Sequence, residues 1–89
     1  MISRVTRGFW KAYRELPGNV RTNARKIYRL WLRDPWHPSL HFKKVHVTRP
    51  IYSVRIGDNW RATRTKYQDH FIWFWIGSHA DYDIILSQL

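Results

Sequence analysis

The sequence contains no cysteine, so neither a disulfide framework nor a thiolate metal centre is open to it. Acid is nearly as scarce, with six Asp and Glu against sixteen Lys and Arg. No apolar run approaches the length of a bilayer span. The longest, Phe71-Ile72-Trp73-Phe74-Trp75-Ile76, is about one strand long. Met1 to Arg7 carries no apolar stretch of the secretory kind, and a cytoplasmic location with no membrane partner is expected. There is no internal repeat, low-complexity tract or long linker, which points to a single domain over residues 1–89.

What is abundant is aromatic and basic. Aromatic residues make up 17% of the chain, six of them Trp, enough large apolar surface to give 89 residues a packed core. The charge is lopsided. Residues 1–44 carry eleven basic and two acidic groups, whereas 45–89 carry five and four. A one-sided positive field attracts polyanions, so nucleic acid or an acidic protein is the expected partner class. Arginine outnumbers lysine eleven to five, which favours forked phosphate contacts over mere solubility.

Two breaks punctuate the first half: Pro17-Gly18-Asn19 and Asp34-Pro35-Trp36-His37-Pro38. Phe9, Tyr13 and Leu16 recur at helical spacing and predict a helix over 6–16. Val20, Ala24, Ile27, Tyr28 and Trp31 predict a second, with Asn19 as its cap. Arg21, Arg25, Arg29 and Arg33 lie four apart on that helix. Such a row is either a solvated face or, because four unrelieved cations repel one another, a surface awaiting an anion.

Beyond Pro38 the period shortens to two. His41–Val45 reads as a possible strand and Ile51–Ile56 as a clearer one, with Tyr52, Val54 and Ile56 on one face and Ser53 and Arg55 on the other. Turns at Gly57-Asp58-Asn59 and Gln68-Asp69 separate strands over 60–66 and 70–76, and the latter is apolar on both faces, as a strand covered on each side would be. A first strand within 1–5 is weakly signalled, and 79–87 reads as a short closing helix. The expected fold class is therefore α+β: two N-terminal helices on one face of an antiparallel sheet of three to four strands, then a small helix.

Three segments are more specific. Ile51-Tyr52-Ser53-Val54-Arg55-Ile56-Gly57, then Trp60-Arg61-Ala62, then Gly77-Ser78-His79-Ala80-Asp81-Tyr82 resemble the RelE/ParE superfamily of toxins from bacterial type II toxin–antitoxin systems. The matching family patterns are a Y-x-V/I-R-x-G strand, a Y/H-R-A/L strand and a G-S/T-H-x-x-Y/F ending. The resemblance covers nearly the whole chain and is sharpest over its last forty residues. It implies a RelE-like fold with a curved sheet, a cognate antitoxin as protein partner, and cleavage of mRNA on the ribosome without a metal. It also leaves open the ParE branch, which inhibits DNA gyrase, and a basic RNA-binding module whose catalysis has lapsed.

The chemistry implied is attack by a 2′-hydroxyl on its own phosphate. That reaction needs a proton acceptor, cations for the phosphorane and a proton donor for the leaving oxygen. His79 is the expected proton-transfer group, since imidazole titrates near neutrality; otherwise it is a capping or partly buried histidine. Tyr82, one helical turn on, shares its face and is expected to orient the phosphate unless it is simply core. Arg61 and Arg55 fall on family positions and are expected to clamp the transition state. Lys43, Lys44 and His41 are candidates for holding the RNA backbone, together with Arg21, Arg25 and Arg29. Trp36 and Trp60 either stack on bases or fill structural slots. The five histidines, at 37, 41, 46, 70 and 79, have no recognisable ligand spacing, so no metal or other cofactor is expected. Thr63 and Arg64 depart from the family pattern, which has a leucine and a small residue there, and imply a frayed strand edge or an altered surface.

Overall fold

Pro17 and the Asp34–Pro38 segment interrupt the chain where the sequence places its breaks. The computed structural model describes residues 2–89. It runs β1 (Ile2–Val5), α1 (Arg7–Arg14), α2 (Gly18–Arg33), a 3-10 turn (Pro38–Leu40), β2 (Lys43–Lys44), β3 (Ile51–Ile56), β4 (Trp60–Tyr67), β5 (His70–Ser78) and α3 (His79–Gln88).

Thr6 starts α1 by accepting the Phe9 N–H on its hydroxyl at 3.1 Å. The helix stops short of the expected residue 16, because a residue preceding proline is pushed out of helical geometry. Asn19 does not cap α2. Pro17 does, its backbone already near helical φ and its carbonyl accepting the N–H groups of Val20 and Arg21 at 3.0 Å. His41–Val45 yields only the two-residue β2. His41 is left-handed at φ 45° and closes the 3-10 turn, so pairing starts after it.

The sheet has five strands among the described residues, in the order β1-β5-β4-β3-β2. The expected α+β, RelE-like plan is present, with one strand more than expected and with a parallel β1–β5 edge beside the antiparallel meander. The weakly signalled N-terminal strand is real over Ile2–Val5, while residue 1 lies outside the described residues. Both outer strands, four and two residues long, are too short to show a period in the sequence.

A bulge explains why β5 looks apolar on both faces. Thr63 pairs with Trp75 and Arg64 with Trp73, leaving Phe74 unmatched and shifting the alternation by one. Trp73 and Ile76 therefore both face the helices, where they join Val20, Ala24, Trp31, Val54, Ile56 and Ala62 in the core. Trp31 is its hub, meeting Trp73 edge-on at 5.1 Å and Phe71 at 5.5 Å. Trp75 faces the other way and stacks on Tyr82 of α3 at 6.3 Å. Helices thus cover both sides of β5. Thr63 and Arg64 do not fray an edge or alter the surface: β4 is the middle strand, and the two residues are 0% and 3% exposed.

Candidate active site

Alternation on β3 and β4 sends Arg55 and Arg61 to the face away from α1 and α2. The two are cross-strand partners, and Gly77 of β5 completes the row. The next row on that face holds Ser53, Thr63 and Trp75. A Cβ at residue 77 would lie 2.5 Å from the Trp75 ring, so any side chain there would force the indole to shift. The indole therefore lies over bare backbone beside Arg61, and Tyr82 stacks on it.

The β3–β4 turn is the hub of this corner. The Gly57 carbonyl accepts Arg55 Nε at 3.1 Å and Arg61 Nη1 at 3.4 Å. Arg61 Nη1 also reaches the carbonyls of Asp58 at 3.2 Å and Trp60 at 2.8 Å. Arg55 Nη2 pairs with the Asp58 carboxylate at 2.7 Å. Gly57 sits at φ 62°, a left-handed conformation that glycine adopts without strain. The backbone N–H of His79 donates to the Asn59 carbonyl at 2.7 Å, tying the start of α3 to the same turn.

α3 is fixed at both ends. Ser78 caps it by accepting the Asp81 N–H at 3.1 Å, which leaves His79 in the first turn. At the far end the His46 ring spans two elements. Its Nδ1 accepts the N–H groups of Thr48 and Arg49 at 3.2 and 2.9 Å, so Nε2 carries the proton and donates to the Leu89 carbonyl at 3.0 Å. The half-exposed His79 ring meets Tyr82 edge-on at 5.9 Å, and its Nδ1 stands 3.5 Å from the Asp83 carboxylate. Because Tyr82 stacks on Trp75, the imidazole lies on the same side of the sheet as the two guanidinium groups.

The other expected binding residues divide. His41 joins the corner, its Nε2 accepting from Arg55 Nη1 at 3.4 Å. β2 pairing puts Lys43 on the Ser53 face with the arginines, but turns Lys44 to the Tyr52 face with the helices. Arg21, Arg25 and Arg29 lie on α2 in the opposite layer. There Arg25 donates to the Tyr13 hydroxyl at 2.6 Å and Arg21 to the Arg14 carbonyl at 3.4 Å, stitching the helical hairpin. Tyr82 is only 7% exposed, Trp60 is half-buried against the core, and Trp36 is exposed. Asp58 and Asp83 were not foreseen. The spacing carried a signal for Asp83, which stands four residues after His79 on one helix, where side chains meet.

The sequence profile of the ParE-like toxin domain matches residues 18–84, well over half of the chain. The chain belongs to this family of toxin domains, within the RelE/ParE superfamily. No curated protein matches it. Solved structures of similar fold include the RelB–RelE antitoxin–toxin complex of Methanococcus jannaschii, at 21% identity and TM-score 0.73, covering 90% of this chain and 95% of that one. YafQ from E. coli superposes at TM-score 0.74 with 8% identity over 90% and 94% of the two chains. The isolated RelE toxin of E. coli gives 0.67 and 14% over 99% and 98%. At these identities the likeness is one of fold.

Proposed function

We propose that this toxin domain is an endoribonuclease that cuts mRNA on the ribosome, without a metal, by attack of a 2′-hydroxyl on the adjacent phosphate. The observation that carries the reading is the convergence of Arg55, Arg61 and the His79 backbone on the Gly57–Asn59 turn. Arg55, Arg61 and Lys43 share that face with two carboxylates, Asp58 and Asp83, so it holds a surplus of positive charge suited to a phosphate. Asp83 beside His79 Nδ1 favours the tautomer protonated there, which leaves Nε2 with the lone pair.

In the proposed reaction His79 Nε2 takes the 2′-hydroxyl proton as the oxygen attacks phosphorus. The charge that grows on the phosphorane oxygens is met by Arg61, whose Nε and Nη2 make no hydrogen bond among the described residues, and by Arg55. The proton then passes from the imidazolium to the departing 5′-oxygen. The products are a 2′,3′-cyclic phosphate and a 5′-hydroxyl. Need for the 2′-hydroxyl restricts the reaction to RNA. Buried Tyr82 acts by orienting the His79 ring, and His41 and Lys43 hold the RNA backbone on the same face.

The partner that restrains such a toxin is a cognate antitoxin. The RelB–RelE complexes among the similar folds support this, as does an apolar hollow of about 470 Å³ between the helical hairpin and the sheet. Phe9, Tyr13, Tyr28 and Trp73 line it, and Arg25 and Arg29 edge it, features that suit an apolar segment flanked by acids. Lys44 and the α2 arginines would then serve the antitoxin or ribosomal RNA.

The test is primer extension on translated message after induction of the wild type and of His79→Ala. Cleavage in the wild type, reduced about 10²-fold or more in the variant, is the expected result for a general acid–base group. Cleavage unchanged by the substitution would remove His79 from the chemistry. Intact message together with inhibited supercoiling by DNA gyrase would assign the ParE-branch activity instead, and RNA binding with neither effect would assign a lapsed binding module.

A further inference from the structure

Arg64 takes no part in the corner, since it faces the helices from the other side of β4. Four aromatic rings surround its guanidinium carbon: Phe71 at 4.2 Å, Phe42 and Tyr52 at 4.5 Å, and Trp31 at 5.5 Å from their centroids. Its Nε and Nη1 are buried without a hydrogen-bond partner, and no carboxylate among the described residues pairs with it. Burial pulls its pKa down to about 10, with nearby Tyr52 opposing the shift, so the group still carries its charge at neutral pH. A methionine or leucine would fill the space without desolvating an ion, so packing alone does not account for a cation here. What guanidinium adds is attraction to every ring face at once.

Three of the four rings stand on long elements: Trp31 on α2, Tyr52 on β3 and Phe71 on β5. Phe42 does not. It lies between left-handed His41 and two-residue β2, and its other ring neighbours are Tyr52 at 5.2 Å, exposed Trp36 at 5.0 Å and Trp31 at 6.1 Å. With Phe42 turned inward, its neighbours His41 and Lys43 turn to the Arg55–Arg61 face.

We propose that Arg64 is a positioning residue: by holding Phe42 in the ring box, it fixes the backbone at 41–43 so that His41 and Lys43 meet RNA bound at the corner. The inference rests on the RNA-cleaving reading for what those two side chains touch, but not for how the segment is held.

The test compares wild type with Arg64→Met and Arg64→Lys by amide hydrogen exchange and by KM and kcat for message on translating ribosomes. Arg64→Met keeps the volume and removes the charge. Its exchange at residues 42–44 is expected to rise about tenfold or more while the core amides of β4 and β5 hold their rates. KM is expected to rise about tenfold with kcat within about twofold, the pattern of lost ground-state binding. Arg64→Lys, which keeps a cation without the planar fork, is expected to recover part of both effects. Should Arg64→Met not fold, Arg64→Lys carries both readouts with smaller changes of the same sign. Unchanged exchange at 42–44, or acceleration spread evenly over the sheet, would overturn the proposal, as would a loosened segment with unchanged KM. If the wild type cuts no RNA, the endoribonuclease reading falls by itself, and the exchange pattern still decides whether Arg64 holds the segment.

Discussion

Arg61 and Arg64 stand three residues apart on one strand and meet opposite chemistry. The Arg61 side chain lies at the sheet's open corner, where three main-chain carbonyls hold its Nη1 and its Nε and Nη2 make no hydrogen bond among the described residues. Arg64 is sealed among rings with neither carbonyl nor carboxylate to meet its Nε and Nη1. The alternation of β4 separates them, so residue type alone does not decide a role. Position relative to the sheet does: the same guanidinium is held by main-chain carbonyls at an open corner on one side and enclosed by aromatic rings on the other.

Several substitutions would break or sharpen this contrast. Trp31→Ala removes both the core's hub and one wall of the Arg64 box, and thermal or urea unfolding should show a loss of about 3–5 kcal/mol. A loss well below that would mean that the box closes over the gap and is not rigid. Arg61→Ala should lower cleavage about 10²–10³-fold, the usual effect of deleting one donor to a developing oxyanion, while the unfolding midpoint barely moves. Equal damage to stability and cleavage would erase the distinction between the two arginines. Gly77→Ala would push a methyl into the Trp75 ring and should cost about 1–3 kcal/mol, with Trp75 fluorescence reporting the displacement. Ser78→Ala deletes the α3 cap and should cost about 1 kcal/mol in melting experiments; a fall in cleavage larger than that loss explains would show that the cap also aims His79.

Much of the plan was legible from the chain. The Val20–Trp31 stripe, the period-two run Ile51–Ile56 and the turn residues Gly57-Asp58-Asn59 gave the helix, the strand and the connection that the structure contains. Arg55 could be placed opposite the Val54–Ile56 core face by alternation alone. β1 and β2 were faint because four- and two-residue edge strands carry no measurable period. The Arg64 environment was misread for another reason: a polar residue on a strand suggests solvent unless four aromatic rings from four separate segments close round it.

The order of apolar and polar residues, the proline and glycine breaks and the excess of arginine determined an α+β domain with a strongly positive surface. These signals are local, or sum over the whole chain, and need no knowledge of distant neighbours. Tertiary structure alone decided that Arg55, Arg61 and the His79 backbone meet at one turn, and that four rings close round Arg64. The physical reason is that strand register and the packing of separate elements set which groups become neighbours. Both depend on contacts between residues far apart in sequence, and no window along the chain contains those contacts.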